Sequence, residues 1–592
     1  MPKLEVYLNE YNIPMGSAIY LPLVCGLLQA YAQTKTEIRD NYEFMPFIFL
    51  RDKPEQILSQ YKKPAVAAFS CSMWNINLSL EVARQVKEKF PDCLIVFGGP
   101  QVPTDTEGAF SFFSLHPFVD VTVRGEGEHT FVELLTRFLD TTNFEDIPGI
   151  FWRNGRVYFK NEDRLLEENP DVFPSPYLEE VFDYLMLGDM DFHATVETNR
   201  GCPFKCTFCF WGRAEPYRFF SFERIQKIAE WCGRNRIKYV FCADSNFGML
   251  KRDLEIAQYF VDAKAKYGFP KKFRATFGKN AEYNIYKIGK LLTEHDMEKG
   301  ITLSTQSNDP KTLANVRRKN IKLEVYKNLQ ERYKRDNIPT YTELILGLPG
   351  ETYKSFMKGM EESLKSGTQV FVHICQVYPN TELATKEYQQ KFGIKAIHIP
   401  LNETHASMHS NNIPEEYEEI VICTATMSHE DWQNALVISW IMQLLHGLKL
   451  GVHILNYLSD TYHINYIDFF GYIAGLEHST VLGNEVLKFK QLASHILDGE
   501  PRGCIVPDCG SIYWSPEEAA FLRICQEKDR FYDEFYTICR QYLNQDDKML
   551  EIVIEAQKDS APSYEEYQSK EHFAREVLLY GRKSGRILKG DR

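Results

Sequence analysis

The sequence predicts an α/β protein with two successive parallel sheets followed by a mainly helical C-terminal part. The first observation behind this prediction is that short apolar runs alternate with helix-period segments through residues 1 to about 140. The second is that the same alternation returns between about 194 and 390. Strand–helix alternation is typical of parallel sheets with crossover helices. From about residue 400 the pattern turns mainly helical and rich in Tyr and Trp.

The composition argues against several classes of protein. With 592 residues, the chain is long enough for about three or four domains. Its 68 Lys and Arg against 81 Asp and Glu give a net charge of −13, so we expect no nucleic-acid partner. No signal-peptide pattern is visible, and 14 cysteines without one indicate reduced thiols in a cytoplasmic protein. The apolar stretch 435–455 includes Gln443 and Lys449, which favours a buried helix pair over a membrane span.

Residues 1–150 are predicted as a doubly wound, Rossmann-like domain. Turn residues follow its third, fourth and fifth strand-like runs at Ser70–Ser72, Gly98–Pro100 and Gly125–Gly127. Ligands of open parallel sheets bind outside the carboxyl ends of the strands, so these turns are candidate binding residues. Residues 151–190 are predicted as a small hairpin followed by a charged, proline-punctuated linker. The five runs are KLEVYL, FMPFIFL, AVAAFS, CLIVFGG and VDVTV.

Residues 191–395 are predicted as a partial (β/α)6 barrel, because six strand-like runs alternate there with helical segments. A closed barrel has eight such units, so we expect an open barrel with its site at the carboxyl ends of the strands. Residues 396–592 are predicted as a mainly helical domain that caps the barrel and holds the substrate. The six runs are ATVETN, KYVFCADS, FRATFG, ITLSTQS, YTELILGLPGE and VFVHICQVYP.

Three cysteines stand on one loop after the first of these six strands. Cys202, Cys206 and Cys209 are spaced C-x3-C-x2-C. A structural zinc site takes four ligands, and a thiol–disulfide enzyme needs only a C-x-x-C pair. Three thiolates suit a [4Fe–4S] cluster with one iron left open for a ligand, since a closed cluster takes four. Zinc with a remote fourth ligand and three buried thiols are the alternatives.

The cysteine loop resembles the signature of the radical S-adenosylmethionine (SAM) enzymes, in which an aromatic residue stands before the last cysteine, as Phe208 does here. Later strand ends match the same family in order, at ADSNFG, STQS, ELILGLPGET and VYPNTELA. The resemblance covers about 200 residues. It implies that the three cysteines ligate a [4Fe–4S] cluster and that these strand ends contact SAM. The implied contact residues are Phe208, Asp244, Ser245, Asn246, Ser304, Gln306, Leu346, Gly347 and Tyr378.

The first domain is similar to the cobalamin-binding domain that precedes the barrel in one large class of these enzymes. Four stretches carry this resemblance: YLPL, SCSMWN, VFGGPQ and RGEGEHTF. The D-x-H-x-x-G motif, whose histidine ligates cobalt in other cobalamin proteins, does not occur in the sequence. The resemblance therefore implies that the loop around Trp74 lies beneath the corrin ring; an ordinary core position is the alternative for this tryptophan. The implied cobalamin-binding residues are Ser70, Ser72, Met73, Trp74, Asn75, Gly98, Gly99, Pro100, Gln101, Gly125, Glu126, Gly127 and Glu128.

Together the two resemblances imply a cobalamin-dependent radical SAM methyltransferase. In such enzymes a 5′-deoxyadenosyl radical from one SAM removes a hydrogen from an unactivated carbon, and cobalamin carries a methyl group from a second SAM. We expect a natural-product or peptide substrate, an external electron donor of the flavodoxin or ferredoxin type, no membrane partner and a monomer. The main alternative is a related enzyme that forms or rearranges a ring without methyl transfer. A cobalamin- or light-responsive sensor and a thiomethylating RNA enzyme are further alternatives.

Three histidines after the barrel suggest a metal site at first sight. His405 and His409 are spaced i and i+4, and His429 follows. No H-E-x-x-H motif includes them, and Pro414 interrupts a helix there. We therefore interpret them as surface or substrate-pocket residues.

Overall fold

The structure is a computed structural model that describes residues 2–15, 18–211, 215–278, 282–298, 300–401, 403–405, 412–476, 478–510 and 512–562. Its N-terminal part alternates strands and helices as the sequence predicts. The elements are β1 (Leu4–Asn12), β2 (Ala18–Tyr20), α1 (Leu23–Ala32), α2 (Thr36–Asn41), β3 (Tyr42–Phe44), β4 (Ile48–Leu50), α3 (Pro54–Leu58), β5 (Pro64–Ser70), α4 (Ile76–Lys89), β6 (Leu94–Gly98), α5 (Thr106–Leu115), β7 (Val121–Val123), α6 (Glu128–Phe138), β8 (Ile150–Asn154) and β9 (Val157–Lys160).

The first sheet has the strand order β3-β1-β5-β6-β7-β8-β9, with β4 also paired to β1. Its strands are parallel up to β7, and β8 and β9 add the predicted hairpin in antiparallel pairing. Side chains alternate between two cores, as the period of a strand requires. Val66 and Ala68 of β5 face one core, and Ala67 and Phe69 face the other. The first core also contains Phe192, Ala194 and Val196 of the first barrel strand, so the two sheets share one apolar core.

The second α/β unit contains six parallel barrel strands and one short hairpin. Its elements are β10 (Asp191–Val196), β11 (Asn199–Arg200), β12 (Arg218–Phe219), α7 (Phe222–Arg234), β13 (Tyr239–Phe247), α8 (Arg252–Tyr267), β14 (Lys272–Phe277), α9 (Glu282–Glu294), β15 (Ile301–Thr302), α10 (Pro310–Asn315), α11 (Leu323–Arg335), β16 (Thr340–Leu346), α12 (Tyr353–Lys365) and β17 (Gln369–Ile374).

The barrel strands form two hydrogen-bonded groups, β14-β13-β10-β2 and β15-β16-β17. Strand β2 lies within the first 20 residues of the chain, yet it pairs in parallel with β10, where Ala18 stands opposite Asp191 and Tyr20 opposite His193. This strand is not recognisable in the sequence, because three residues are too few to show a period. The N-terminal segment therefore extends the barrel edge directly.

The C-terminal part is mainly helical after one antiparallel hairpin. Helix α14 (His429–Met442) is buried over nearly its whole circumference within the helical core. In the part of the chain that the structure describes, no single helix is long and apolar enough to cross a membrane. The helix from His429 to Gly447 reaches the required length and hydropathy only when the helix from Val452 to Tyr462 is added, and a bend of 98° separates the two. The elements are α13 (Lys386–Phe392), β18 (Lys395–Pro400), β19 (Tyr417–Cys423), α14 (His429–Met442), α15 (Val452–Tyr462), α16 (Tyr466–Ala474), α17 (Val481–Leu497), β20 (Cys504–Ile505), β21 (Tyr513–Trp514), α18 (Pro516–Ile524), α19 (Lys528–Leu543) and α20 (Lys548–Ser560).

Asn380, in the loop after the last barrel strand, joins the barrel to the first domain. It adopts a left-handed φ of +64°. Its side-chain nitrogen donates to the carbonyls of Pro100 and Val102, each at 3.0 Å. Its side-chain oxygen accepts from the N–H of Thr104 at 3.0 Å and from the Thr104 hydroxyl at 2.8 Å. One amide therefore fixes the loop that follows β6 against the carboxyl end of the barrel.

The segment before β19 makes a second connection to the first domain. The carboxylate of Glu416 accepts from the N–H groups of Asn77 at 2.9 Å and Leu78 at 3.0 Å, which lie in the first turn of α4. A carboxylate at a helix N-terminus satisfies N–H groups that have no partner within the helix. Burial raises the pKa of Glu416 to about 7. Arg51 and Glu403 form a buried ion pair nearby.

Gly99 gives a direct test of the turn after β6. It has a left-handed φ of +97°, and a Cβ there would lie 2.6 Å from the carbonyl oxygen of Cys71. We expect Gly99→Ala to lower the free energy of unfolding by about 1–3 kcal/mol, because alanine is strained in this region and clashes with the backbone. Gly98→Ala is the matched control, since its nearest neighbour would be Val123 at 3.8 Å. Equal denaturant midpoints for the two variants would contradict the prediction.

Candidate active site

The cysteine loop begins in a tight turn after the first barrel strand. Gly201 has a left-handed φ of +98°, and a Cβ there would lie 2.3 Å from the carbonyl oxygen of Pro216. Only glycine permits this approach of two backbones. Cys202 is buried, whereas Cys206 and Cys209 are half-buried. The structure thus presents all three thiols from one short loop at the carboxyl end of β10.

Thr207 fixes the centre of the loop through three contacts. Its N–H donates to the carbonyl of Val316 at 3.2 Å, and its carbonyl accepts from the N–H of Leu383 at 2.9 Å. Its hydroxyl lies 2.9 Å from the Tyr388 hydroxyl. The neighbouring Phe208 packs against the apolar cluster that contains Val316 and Leu383. The aromatic residue of the motif therefore packs the loop onto the barrel.

Two polar side chains reach the cysteine sulfurs. The side-chain nitrogen of Asn246, at the end of β13, donates to Sγ of Cys202 at 3.3 Å. Arg318 is buried and hydrogen-bonds the Cys206 thiol, with Cys209 also near its charge. Burial lowers the pKa of Arg318 to about 10, and the nearby thiols oppose that shift. Sequence reasoning missed Arg318, because it lies more than 100 residues further along the chain, on an irregular segment.

The three cysteines do not form a site for a single ion. Among the residues that the structure describes, no group of three or more His, Cys, Asp or Glu could hold one metal ion. In an iron–sulfur cluster each cysteine ligates a different iron, so the sulfurs stand further apart than the ligands of one ion. Three thiols on one loop, with an amide and a guanidinium directed at their sulfurs, fit a cluster.

Asp244, predicted to contact SAM, is engaged within the protein. Its carboxylate accepts from the Thr198 N–H at 2.8 Å, from the Thr198 hydroxyl, and from the Asn199 side chain at 2.7 Å. It therefore ties the end of β13 to the end of β10. Burial raises the pKa of Asp244 to about 7, opposed by these hydrogen bonds. Its neighbour Ser245 donates to the Gly201 carbonyl at 3.0 Å.

Ser304 and Gln306 follow β15 and contact the neighbouring strand. The Ser304 hydroxyl donates to Glu343 at 2.5 Å. Gln306 has a left-handed φ of +64°, and its backbone bonds Glu343 and Ile345, each at 2.8 Å. Its side-chain oxygen Oε1 is buried and has no hydrogen-bond partner among the described residues. A buried polar atom of this kind requires a partner, so Gln306 has one acceptor available for a ligand.

The ends of β16 and β17 carry the remaining predicted barrel residues. The carbonyl of Leu346 accepts from Cys375 at 2.8 Å. Gly347 has a left-handed φ of +96° and leads the chain away from the strand. The Tyr378 hydroxyl donates to Gln376, which in turn donates to Glu418. Burial raises the pKa of Tyr378 to about 12, so this phenol stays protonated.

In the first domain, Asn75 organises the loop after β5. Its side-chain oxygen accepts from the Ser72 N–H at 2.8 Å, and its nitrogen donates to the carbonyls of Ser70 at 3.1 Å and Tyr11 at 3.0 Å. Asn75 is 1% exposed, so its role is to shape the loop. The backbones of Gly98 and Gln101 bond Cys71 in the same turn, and the Pro100 carbonyl accepts from Asn380.

Trp74 projects from this loop into solvent. It is 36% exposed, and Ser70, Ser72 and Met73 are half-buried. The alternative interpretation of Trp74 as an ordinary core aromatic is therefore wrong. A large apolar ring exposed at the carboxyl end of the sheet is available to a flat ligand.

The RGEGE turn after β7 joins the first domain to the cysteine loop. Glu128 pairs with Arg200 at 2.7 Å, and Glu126 pairs with Arg218 at 2.9 Å and with Arg200 at 3.4 Å. Arg200 lies two residues before Cys202. Both carboxylates were predicted as cobalamin contacts, and the structure engages both in ion pairs between the domains.

The glycines of the same turn leave room for a ligand. Gly125 has a left-handed φ of +74°, and a Cβ placed there would have no neighbouring atom within 4 Å. A Cβ placed at Gly127 would meet Leu28 at 3.4 Å, an ordinary van der Waals contact. Open backbone at Gly98 and Gly125, together with the exposed Trp74, fits a large cofactor at this edge of the sheet.

The comparisons with known proteins agree with this geometry. A model of the radical SAM superfamily matches residues 196–362, and a model of the B12 binding domain matches residues 37–135. The chain is 35% identical to the 2-(S-pantetheinyl)-carbapenam-3-carboxylate methyltransferase of Streptantibioticus cattleyicolor, over 88% of this chain and 80% of that protein. It is also 35% identical to the cobalamin-dependent radical SAM methyltransferase TokK of Streptomyces tokunonensis, over 91% of this chain and 80% of TokK. The chain is a cobalamin-dependent radical SAM methyltransferase.

Two solved structures share the fold of this methyltransferase. One is TsrM from Kitasatospora setae with cobalamin and a [4Fe–4S] cluster bound. The match covers 84% of this chain and 100% of the TsrM chain, with a TM-score of 0.54 at 13% sequence identity. The other is OxsB with aqua-cobalamin and SAM bound. The match covers 99% of this chain and 79% of the OxsB chain, with a TM-score of 0.53 at 13% sequence identity. The predicted fold class is confirmed, with a Rossmann-like domain, a radical SAM domain and a helical C-terminal part.

This radical SAM methyltransferase uses a [4Fe–4S] cluster, SAM and cobalamin. The residues present fit these groups, since three cysteines stand on one short loop and glycine backbone with free space beside it lies at the edge of the first sheet. Of the histidines after the barrel, His405 lies 2.9 Å from Glu518, and His429 is exposed at the start of α14. His409 lies outside the described residues.

Replacing Cys202, Cys206 and Cys209 together by alanine is expected to abolish iron binding, because the cluster then has no protein ligand. Iron content and visible absorption of anaerobically purified protein measure the effect. Cys423→Ala, at the end of β19, is the control and should retain both. A triple variant that keeps its full iron content would overturn the assignment.

Arg318→Gln is expected to make the cluster harder to reduce, because a positive charge and a hydrogen bond to a ligating sulfur are lost. One charged hydrogen bond corresponds to a shift of roughly 60–120 mV toward negative potential. A redox titration followed by electron paramagnetic resonance measures the potential, and Arg318→Lys should lie between the variant and the wild type. Arg317→Gln is the matched control, since Arg317 is exposed and pairs with Glu382. Equal potentials in the Arg317 and Arg318 variants would contradict the prediction.

Proposed function

We propose that the enzyme transfers a methyl group to an unactivated carbon of a small bicyclic carboxylate that carries a pantetheinyl arm. The observation that carries this proposal is the 35% identity to the carbapenam-carboxylate methyltransferase over 88% of this chain. That extent includes the helical C-terminal part as well as the two cofactor domains. A relationship confined to the cofactor domains would support the chemistry but not the class of substrate.

The arrangement of the two sheets supports a single reaction chamber. Asn380 follows a barrel strand and bonds the loop after β6, and Arg200 follows β10 and pairs with the turn after β7. Both contacts join loops at carboxyl ends of strands. The binding edges of the two sheets therefore face each other, which suits chemistry that needs both cofactors close to one substrate carbon.

The bound cofactors supply a radical that removes hydrogen from carbon and a methyl group that this carbon can accept. The residues of the chain hold and orient these groups. The turn at Gly201 and the contacts of Thr207 hold the cysteine loop in place, and Asn246 and Arg318 place N–H donors against its sulfurs. Precise placement matters because a misplacement of about 1 Å can cost two orders of magnitude in rate.

The proposal extends to how the enzyme works in the cell. We propose that it acts as a cytoplasmic monomer and receives electrons from a flavodoxin- or ferredoxin-type protein. Pro203 and Lys205 of the cysteine loop are exposed, as a donor at this loop requires. The chain's net charge of −13 is unfavourable for a nucleic-acid substrate.

Anaerobic holoenzyme with SAM, a strong reductant and 2-(S-pantetheinyl)-carbapenam-3-carboxylate is expected to form a product heavier by one methyl group. S-Adenosylhomocysteine and 5′-deoxyadenosine should each appear in equal amount with the product, because one SAM supplies the methyl group and another the radical. Mass spectrometry and chromatography measure all three. The cysteine triple variant is the control and should form none of them.

Two outcomes would contradict this proposal in different ways. Product and S-adenosylhomocysteine without 5′-deoxyadenosine would indicate a polar methyl transfer. A rearranged, unmethylated product together with 5′-deoxyadenosine would favour ring formation or rearrangement, the alternative function for a protein with these cofactor domains.

A further inference from the structure

The inner face of the barrel contains a group of side chains that the cofactor sites do not use. On β13 and β14, residues 240, 242, 273 and 275 belong to the core outside the barrel, so the alternating residues Tyr239, Phe241 and Arg274 point inward. On β17, residues 370 and 374 pack into the helical core, so Phe371 points inward. Neighbouring rings line this face, with the ring centroids of Tyr341 and Phe371 5.6 Å apart and those of Tyr20 and Tyr239 6.5 Å apart.

This interior is open rather than packed. Closed barrels of this type fill their centre with layers of side chains. Here Phe371 is 36% exposed, the His373 side chain is 57% exposed, and Arg274 is exposed. An arginine that is exposed inside a barrel and surrounded by aromatic rings has room for a ligand beside it.

Hydrogen-bond donors converge at this point. Tyr239 hydrogen-bonds the guanidinium of Arg274, and Tyr341 lies near the same charge. Tyr20 hydrogen-bonds Tyr239 and lies near Arg274. Burial raises the pKa of all three tyrosines, so their hydroxyls stay protonated and can donate. We call Tyr20, Tyr239, Arg274 and Tyr341 the lumen cluster.

The acidic groups nearby leave the guanidinium available. Glu298 lies close enough to act on the charge of Arg274. Glu343, further toward the carboxyl ends, also lies within reach of the charge of Arg274. Its carboxylate accepts from Ser304 and lies 3.8 Å from His373. A guanidinium has five N–H donors, so contacts with Tyr239 and Glu298 leave donors for a second acceptor.

We propose that the lumen cluster binds the carboxylate of the substrate, with Arg274 as its bidentate partner. This inference rests on the proposed function. A carboxylate matches the planar fork of arginine, and the protonated phenols add donors around it. Phe241 and Phe371 supply apolar surface for the ring that carries the carboxylate.

The depth of the lumen cluster suits this role. Arg274 lies three residues before Phe277, the last residue of β14, which is about 10 Å below the strand end. A bicyclic ring held by its carboxylate at this depth extends toward the cysteine loop at the carboxyl end. The arm of the substrate then points toward the opening between the domains.

The test compares binding of 2-(S-pantetheinyl)-carbapenam-3-carboxylate with that of its methyl ester, by calorimetry on anaerobic holoenzyme. The wild type should bind the acid more tightly than the ester. In Arg274→Gln the acid should bind roughly 10- to 100-fold more weakly, as expected for loss of a charged hydrogen-bonded pair, and the ester should be little affected. Arg274→Lys retains the charge without the fork and should fall between the two.

Lys272→Gln is the matched control. Lys272 lies two residues earlier on the same strand, and it pairs with Asp296 at 3.0 Å. Iron content and the cobalamin spectrum should be unchanged in every variant, which separates a local effect from misfolding. An Arg274→Gln variant that still prefers the acid over the ester as the wild type does would overturn the inference. If the wild type binds the acid tightly but does not methylate it, the proposed function is contradicted, whereas the carboxylate site at Arg274 is still supported.

Discussion

The ion pairs between the turn after β7 and the start of the cysteine loop are the contacts on which the architecture depends. Arg200 and Glu128 are almost fully buried, with side chains 10% and 6% exposed. Arg200 also pairs with Glu126 and Glu197, so its removal would leave several carboxylates without this positive charge; loss of one partner of a buried pair typically costs about 3–5 kcal/mol. Because Arg200 lies two residues before Cys202, a shift of the first domain would displace the cysteine loop. The network thus couples the geometry of the two cofactor sites.

The second constraint is that the barrel stays open. Six strands with a short N-terminal strand at one edge form two separate hydrogen-bonded groups, and Arg274 and Phe371 on their inner face remain exposed. An unfilled interior forfeits packing energy, and the shared core between the sheets and the buried helix α14 provide apolar burial elsewhere. The enzyme therefore places its stable packing outside the barrel and keeps the inside for a ligand.

Several site residues have roles that a motif alone does not reveal. Asp244 and Asn75 stand at predicted binding positions, yet each bonds its own protein, Asp244 to the end of β10 and Asn75 to the loop after β5. Glu128 pairs with an arginine of the other domain. Gly99 is required by the nearby backbone of Cys71. Such residues shape the loops on which the cofactor contacts are predicted.

The sequence alone indicated the family, the alternation of strands and helices along the chain and the three cysteines proposed as cluster ligands, because these follow from local residue spacing and from the period of the apolar residues. C-x3-C-x2-C lies within eight residues, and an apolar run is visible without knowing its neighbours. Only the tertiary structure revealed Arg318 beside the cysteines, β2 in the barrel and Arg274 exposed inside it. Each of these depends on pairing between residues far apart in the chain. Contacts of that kind are set by how the sheets close and dock, which no local pattern encodes.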